Sequence, residues 1–202
     1  MISVADGYVR YPGNRQKVRV VPRIGMKSYR LTAFATPLQL DITEIPIPVG
    51  GEVILRVLAA GVCHTDLHLK HGSYDLGRGQ KLSVADRGVK LPLTMGHETV
   101  GTVVALGPEA EQGIRIGENY LIYPWLGCGT CETCVAGDEH FCAAPRTLGI
   151  YRDGGYSEYI RVPHGRCLLP LHGLDPVSAA PLACSGLTNL QCLEEGRSAH
   201  PA

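Results

Sequence analysis

Val53-Ile54-Leu55-Arg56-Val57-Leu58 is followed, after Ala59-Ala60-Gly61-Val62, by Cys63-His64-Thr65-Asp66-Leu67-His68. The first segment is a near-continuous apolar run of β-prone residues, which reads as a strand with little solvent on either face. The second packs a thiol, two imidazoles, a hydroxyl and a carboxylate into one short stretch. A strand that ends in several metal-capable and proton-capable groups points to a site at the mouth of a β scaffold. A buried cysteine beside a polar turn would explain Cys63 and leave the other groups without a purpose.

Outward from this stretch the pattern repeats as short β-prone runs punctuated by Gly and Pro. Residues 38–45 alternate apolar and polar, Pro46 to Gly51 forms a turn, and 52–62 is the strong strand. Thr65 or Asp66 is placed to cap one helical turn through His71. Residues 76–92, with Lys81, Asp86, Arg87 and Lys90, read as a surface insertion. Further strands are expected at 99–106, 119–123 and 156–162, and Asp175-Pro176 has the signature of a helix start, with Pro181 stopping or kinking that helix. The fold class is therefore mainly β, a sandwich or barrel with a few short helices. Residues 1–25, where Arg10, Arg15, Lys17, Arg19 and Arg23 are strewn among Gly and Pro, read as an N-terminal extension. Residues 189–202 read as an unpatterned tail.

Composition narrows the function classes. The formal net charge is +0 and 19% of residues are charged, so there is no electrostatic footprint for nucleic acid or an anionic membrane. No apolar run approaches the roughly 20 residues that span a bilayer, and the first residues lack a secretory h-region. The expected compartment is cytoplasmic. In a reducing compartment, 8 cysteines are metal ligands or buried thiols before they are disulfides.

Half of those cysteines fall in Cys128-Gly129-Thr130-Cys131-Glu132-Thr133-Cys134 and Cys142. Four thiolates in a Cys-x2-Cys-x2-Cys-x7-Cys arrangement can wrap one zinc ion tetrahedrally and leave no open position, so the site would be structural. An iron–sulfur cluster is the competing metal, but such runs generally end in Cys-Pro, and Ala143 follows Cys142. The lobe spans about residues 124–145. Gly96-His97-Glu98-Thr99-Val100-Gly101 opens a strand as Cys63 closes one, and Cys184 lies in Pro181-Leu182-Ala183-Cys184-Ser185-Gly186. Cys63, His97 and Cys184 together would make a zinc site of two thiolates and one imidazole with one open position, the donor set of a catalytic zinc.

These segments carry a resemblance. Gly96-His97-Glu98-x2-Gly101-x5-Gly107-x2-Ala110, the Cys128/Cys131/Cys134/Cys142 loop, Cys63-His64-Thr65-Asp66 and the segment around Cys184 resemble the N-terminal GroES-like catalytic domain of zinc-dependent medium-chain alcohol dehydrogenases. The resemblance runs over about 26–188 and implies a GroES-like, partly open β-barrel with a zinc-binding loop lobe. It implies catalytic zinc on Cys63, His97 and Cys184, and structural zinc on the four lobe cysteines. Thr65 would bond the alcohol and His68 would pass its proton to solvent. Asp66 would orient His97, and Glu98 would sit behind the zinc. His64 and Thr188 would face the NAD(P) cofactor, and Trp125 would line the substrate pocket. The implied reaction is oxidation of a small-molecule alcohol to an aldehyde or ketone with NAD(P)+.

The family's dinucleotide-binding half needs a strand, a Gly-x-Gly-x-x-Gly turn and a helix N-terminus. No such glycine pattern occurs here, and the resemblance stops at Thr188. The expectation is a C-terminally truncated chain in which a frameshift or truncation replaced the continuation with 189–202, and which oxidises alcohols poorly or not at all. Two other functions remain open at this point. One is a zinc-binding interaction module that associates with full-length dehydrogenase subunits or itself as a homo-oligomer; the other is a zinc hydrolase. His71, His140, His164, His172 and His200 read as surface or turn residues, Cys167 as a buried thiol, and Cys192 as a tail thiol.

Overall fold

The computed structural model describes the backbone of residues 25–199 and three short strands before them, with side chains described over 25–194. Those strands, β1 (Ser3–Ala5), β2 (Tyr8–Arg10) and β3 (Val18–Arg19), pair antiparallel in the order β1-β2-β3. The rest of the expected 1–25 extension, up to residue 24, and His200 lie outside the described residues.

The remaining strands are β4 (Met26–Leu31), β5 (Gln39–Thr43), β6 (Val53–Gly61), β7 (Ser73–Gly77), β8 (Gln80–Ser83), β9 (Leu93–Thr94), β10 (Glu98–Leu106), β11 (Asn119–Ile122), β12 (Tyr159–Val162) and β13 (Leu168–Pro170). The helices are α1 (His64–His71), α2 (Glu132–Val135), α3 (Pro176–Ala179) and α4 (Ser185–Ala199). The main sheet runs β12-β6-β10-β11-β13, and a smaller one runs β5-β4-β9. Every strand pair among the described residues is antiparallel. The two sheets are stitched where Tyr29 N–H donates to Tyr156 O at 2.8 Å and Glu158 N–H to Lys27 O at 2.9 Å. The architecture is mainly β with few short helices, as the resemblance implied.

The long strand behaves as its composition requires. Val53, Ile54 and Leu55 are all buried, and Val53 and Leu55 pack with Val103, Ile122, Ile160 and Val162 in the largest core cluster. Pairing of β10 with β6 slips at Val100/Gly101 and again at Val103/Ala105. Such bulges twist a strand and re-aim its side chains. Val100 accordingly packs with Leu121, Ala180 and Ala183 in a separate cluster, which holds the chain before Cys184 against the strand that follows His97.

Three expectations need correction. The cap of α1 is Cys63, whose N–H donates to Asp66 Oδ2 at 3.0 Å; Thr65 and Asp66 lie inside the helix, in its first turn. The insertion at 76–92 is in part a β7–β8 hairpin turning on Arg78 and Gly79, both at positive φ. Its return is not surface: Val84 and Val89 are buried with Leu31, Leu69 and Met95. The tail is also structured, because α4 runs unbroken from Ser185 to Ala199. Leu187, Leu190 and Leu193 are exposed on it, so no buried stripe marked the helix in the sequence. No helix among the described residues is long and apolar enough to cross a membrane.

Gly96 holds φ at +93°, and a Cβ there would lie 2.5 Å from the Tyr156 ring. Gly96→Ala is therefore expected to cost about 1–3 kcal/mol from backbone strain alone, with the ring clash added. Thermal unfolding checks this; an unchanged Tm would contradict it.

Candidate metal centres

The ends of three elements meet at one point. Cys63 caps α1 just past β6, buried His97 immediately precedes β10, and Cys184 follows a 3-10 turn at Ala180–Ala183 that leads into α4. One ligand atom from each lies within 4.8 Å of the others. The Cys63 and Cys184 sulfurs are 3.7 Å apart. A tetrahedral zinc with Zn–S of about 2.3 Å places its sulfurs about 3.8 Å apart, so the donors already stand at metal-binding separation.

The imidazole supplies a second test of fit. His97 Nδ1 lies 3.4 Å from Asp66 Oδ1, but neither of these atoms nor Nε2 makes a hydrogen bond, and all three are buried. A buried nitrogen left unpaired is costly, and a cation bound between the two sulfurs would give it a partner. Burial opposes charge on His97, but Asp66, Cys184 and Cys63 outweigh it and push its pKa up to about 11. Burial alone would raise Cys63; the backbone bond at Thr65 and the neighbouring His97 bring it below the ordinary thiol value. Burial dominates at Cys184 and moves it up.

Asp66 is the hub behind the ligands. It is 2% exposed, and its Oδ2 accepts from Cys63 N at 3.0 Å and from Tyr156 OH at 2.9 Å. One carboxylate thus orients two proposed ligands, the arrangement that fixes a metal-bound imidazole. Tyr156 was not anticipated from the sequence. It lies far along the chain beside Gly154-Gly155 and resembled only a strand aromatic. Glu98 is also buried, and its Oε1 accepts from Ser185 N at 3.0 Å. It thereby ties the residue after Cys184 to the residue after His97.

The other site residues spread along α1 and α4. Half-buried Thr65 lines a cavity of about 220 Å³ with Leu69, Tyr74, Val84 and Trp125. Trp125 stands edge-on to His97 at 5.9 Å and donates from Nε1 to Ala183 O at 3.0 Å. His68 stacks on His64 at 4.6 Å and against Tyr74 at 4.7 Å. His64 and Thr188 are exposed, and the structure does not bring either into the ligand cluster. His71, His140, His164 and His172 are exposed, Cys167 is buried and Cys192 exposed.

The second centre is local. One sulfur from each of Cys128, Cys131, Cys134 and Cys142 lies within 4.8 Å of the others. Cys128 and Cys134 are 3.9 Å apart, and Cys131 and Cys142 are 3.8 Å apart, again the edge of a zinc–thiolate tetrahedron. Backbone N–H groups already solvate the sulfurs: Cys131 N reaches Cys128 Sγ, and Cys128 N and Ala144 N reach Cys142 Sγ, each at 3.3 Å. Bonds at Thr130 and Cys131 pull Cys128 down to about 5, and bonds from Cys128 and Ala144 lower Cys142. Burial instead sends Cys134 up to about 12. The lobe has little apolar core, since Val135 and Phe141 are 77% and 75% exposed. Glu139, bonded to Gly127 N at 3.1 Å and paired with Arg166, anchors it to the barrel.

An antiparallel β scaffold carries an open cluster of two cysteines and a histidine and a closed four-cysteine lobe, each with the donors to hold one metal ion. The chain belongs to the alcohol dehydrogenase GroES-like domain family, which it matches over residues 50–172. It is 42% identical over 170 residues to an NAD-dependent alcohol dehydrogenase of Sulfurisphaera tokodaii, covering 84% of this chain and 48% of the relative. Among solved structures, the alcohol dehydrogenase of Aeropyrum pernix superposes with a TM-score of 0.72 at 32% identity, over 85% of this chain and 48% of that one. The D-arabinose dehydrogenase of Sulfolobus solfataricus gives 0.71 at 34% identity, over 85% and 48%. The chain spans about half the length of the curated relatives it matches.

Proposed function

We propose that this chain is the zinc-holding, substrate-side domain of an NAD(P)-dependent alcohol dehydrogenase. The observation that carries the reading is the convergence of Cys63, His97 and Cys184 with a buried, unpartnered Nε2 between the two thiols' reach. When bound there, zinc would supply Lewis-acid polarisation of an alcohol oxygen. The chain's own residues do the rest. Asp66 holds His97 in one orientation through Nδ1. Thr65 sits at the cavity wall, where its hydroxyl would accept and pass on the alcohol proton. His68, one turn along the same helix face, would carry that proton outward past His64. Trp125 and Leu69 would keep water from the reacting carbon.

Nicotinamide binding is different. Among the described residues there is no parallel βαβ unit, and His64 and Thr188, which would face the cofactor, are both exposed.

Cobalt substitution tests the site without relying on activity. Two cobalt ions per chain are expected, and an added small thiol or alcohol should change the absorption of the open Cys63/His97/Cys184 site only. That change should vanish in Cys184→Ser while the absorption of the four-cysteine lobe stays. A spectrum indifferent to added ligand would rule out an open coordination position.

A further inference from the structure

Most of the wall around the cavity that Thr65 lines is apolar. Leu69, Val84, Val89 and Ile150 supply buried aliphatic surface, and Tyr74 and Trp125 supply aromatic surface. No aspartate or glutamate lines it, and Arg87 is the one lining side chain with a permanent charge. The volume of about 220 Å³ is under the roughly 300 Å³ at which drug-sized sites begin, and suits a single-ring substrate.

Arg87 is held there by its turn. The chain reverses after β8 through bonds from Gly88 N to Ala85 O at 2.9 Å and from Val89 N to Val84 O at 3.2 Å. Val84 and Val89, at the two ends of the turn, are 1% and 7% exposed and pack with Leu31, Leu69 and Met95. Those buried ends fix the tip of the turn at the solvent edge of the cavity, where Arg87 is exposed. Arg87 makes no ion pair among the described residues, and Asp86 beside it in sequence does not line the cavity. A second observation puts the guanidinium near the cavity wall. Burial raises the pKa of the Tyr74 phenol, and the next largest influence on it is the charge of Arg87, which lowers it.

We infer that Arg87 is a specificity-determining residue, selecting alcohols that have an apolar middle and carry a carboxylate at the end remote from the hydroxyl. The inference rests on the dehydrogenase reading and names its substrate class. The alcohol oxygen lies at the Thr65 end, the middle of the substrate lies against Leu69, Val84 and Val89, and the carboxylate meets Arg87 at the solvent edge. A guanidinium can hold both oxygens of a carboxylate at once. Because Arg87 is exposed, the preference it confers is modest and is screened by salt.

Titration of the cobalt-loaded full chain, followed by the absorption of the Cys63/His97/Cys184 site, tests this. The probes are para-hydroxymethylbenzoate, its neutral analogue para-hydroxymethylbenzamide, and para-methylbenzoate, which lacks the hydroxyl. The hydroxymethyl acid is expected to bind about three- to fivefold more tightly than the amide at low ionic strength. Arg87→Met should bring the two to equal affinity, and Arg87→Lys should keep part of the preference. Salt at about 1 M, where the screening length falls to about 3 Å, should abolish it. Equal binding of acid and amide by the parent, or a preference that survives Arg87→Met, would overturn the inference and leave the open metal site intact. A spectrum moved as readily by para-methylbenzoate would do the same, because the carboxylate would then sit on the metal. A spectrum that no probe moves would instead defeat the dehydrogenase reading, and this inference with it.

Discussion

Cys134→Ser is expected to remove one of two bound zinc ions and to unravel residues 124–145, while the Cys63/His97/Cys184 centre keeps its metal. The lobe is held by little else. Its largest apolar side chains, Val135 and Phe141, face solvent, and its buried residues are chiefly Cys134, Cys142 and Leu126. In such a segment the metal replaces the hydrophobic core, and its binding energy is the folding energy. Serine leaves a weaker ligand at one of the two buried corners of the tetrahedron. Gly127 packs directly against that sulfur, so a Cβ on Gly127 would overlap it, and the lobe has no slack in which to recruit a substitute. Metal analysis with limited proteolysis reads the outcome: about one zinc per chain and new cleavage between 124 and 145. Retention of two zinc ions with an intact lobe would show that Cys134 is not a ligand.

Asp66→Ala carries the second large effect. The carboxylate accepts from Cys63 N and Tyr156 OH and lies 3.4 Å from His97 Nδ1, from a position that water does not reach. Its removal leaves all three partners behind, each in a buried or half-buried residue. Breaking a buried charged network in this one-sided way typically costs about 3–5 kcal/mol, and losing the group that orients a metal-bound imidazole costs about 10–100-fold in metal affinity. Asp66→Asn can still accept from Cys63 N and should fall between parent and alanine. Denaturant unfolding and competition with a zinc chelator measure the two effects separately. A variant with parental zinc affinity would remove Asp66 from any role in positioning His97, whatever its effect on stability.

The two centres differ in how much of them could be read before folding. The four-cysteine lobe is a local object: its donors lie close in the chain, and close spacing with glycines between is itself geometric information. Cys63, His97 and Cys184 are far apart in sequence. Their grouping rested first on donor chemistry and then on a resemblance, since their spacing carries no geometry, and the sheet brought them together through the ends of β6 and β10 and the turn before α4. The role of Asp66 toward His97 was also implied by the resemblance, and the 3.4 Å approach bears on it directly.

What the sequence by itself determined is therefore the chemistry: which residues can ligate metal, that four of them form a closed set, and that the scaffold is β. Those are properties of residue type and short spacing. The tertiary structure alone decided the rest. It set Tyr156 against Asp66 across 90 residues, continued α4 through a stretch with no buried stripe, and turned the polar face of β4–β5 inward. Each depends on which surface a strand or helix meets. Alternation in a single chain says that two faces differ, and only the packing of one sheet on another says which of them is inside.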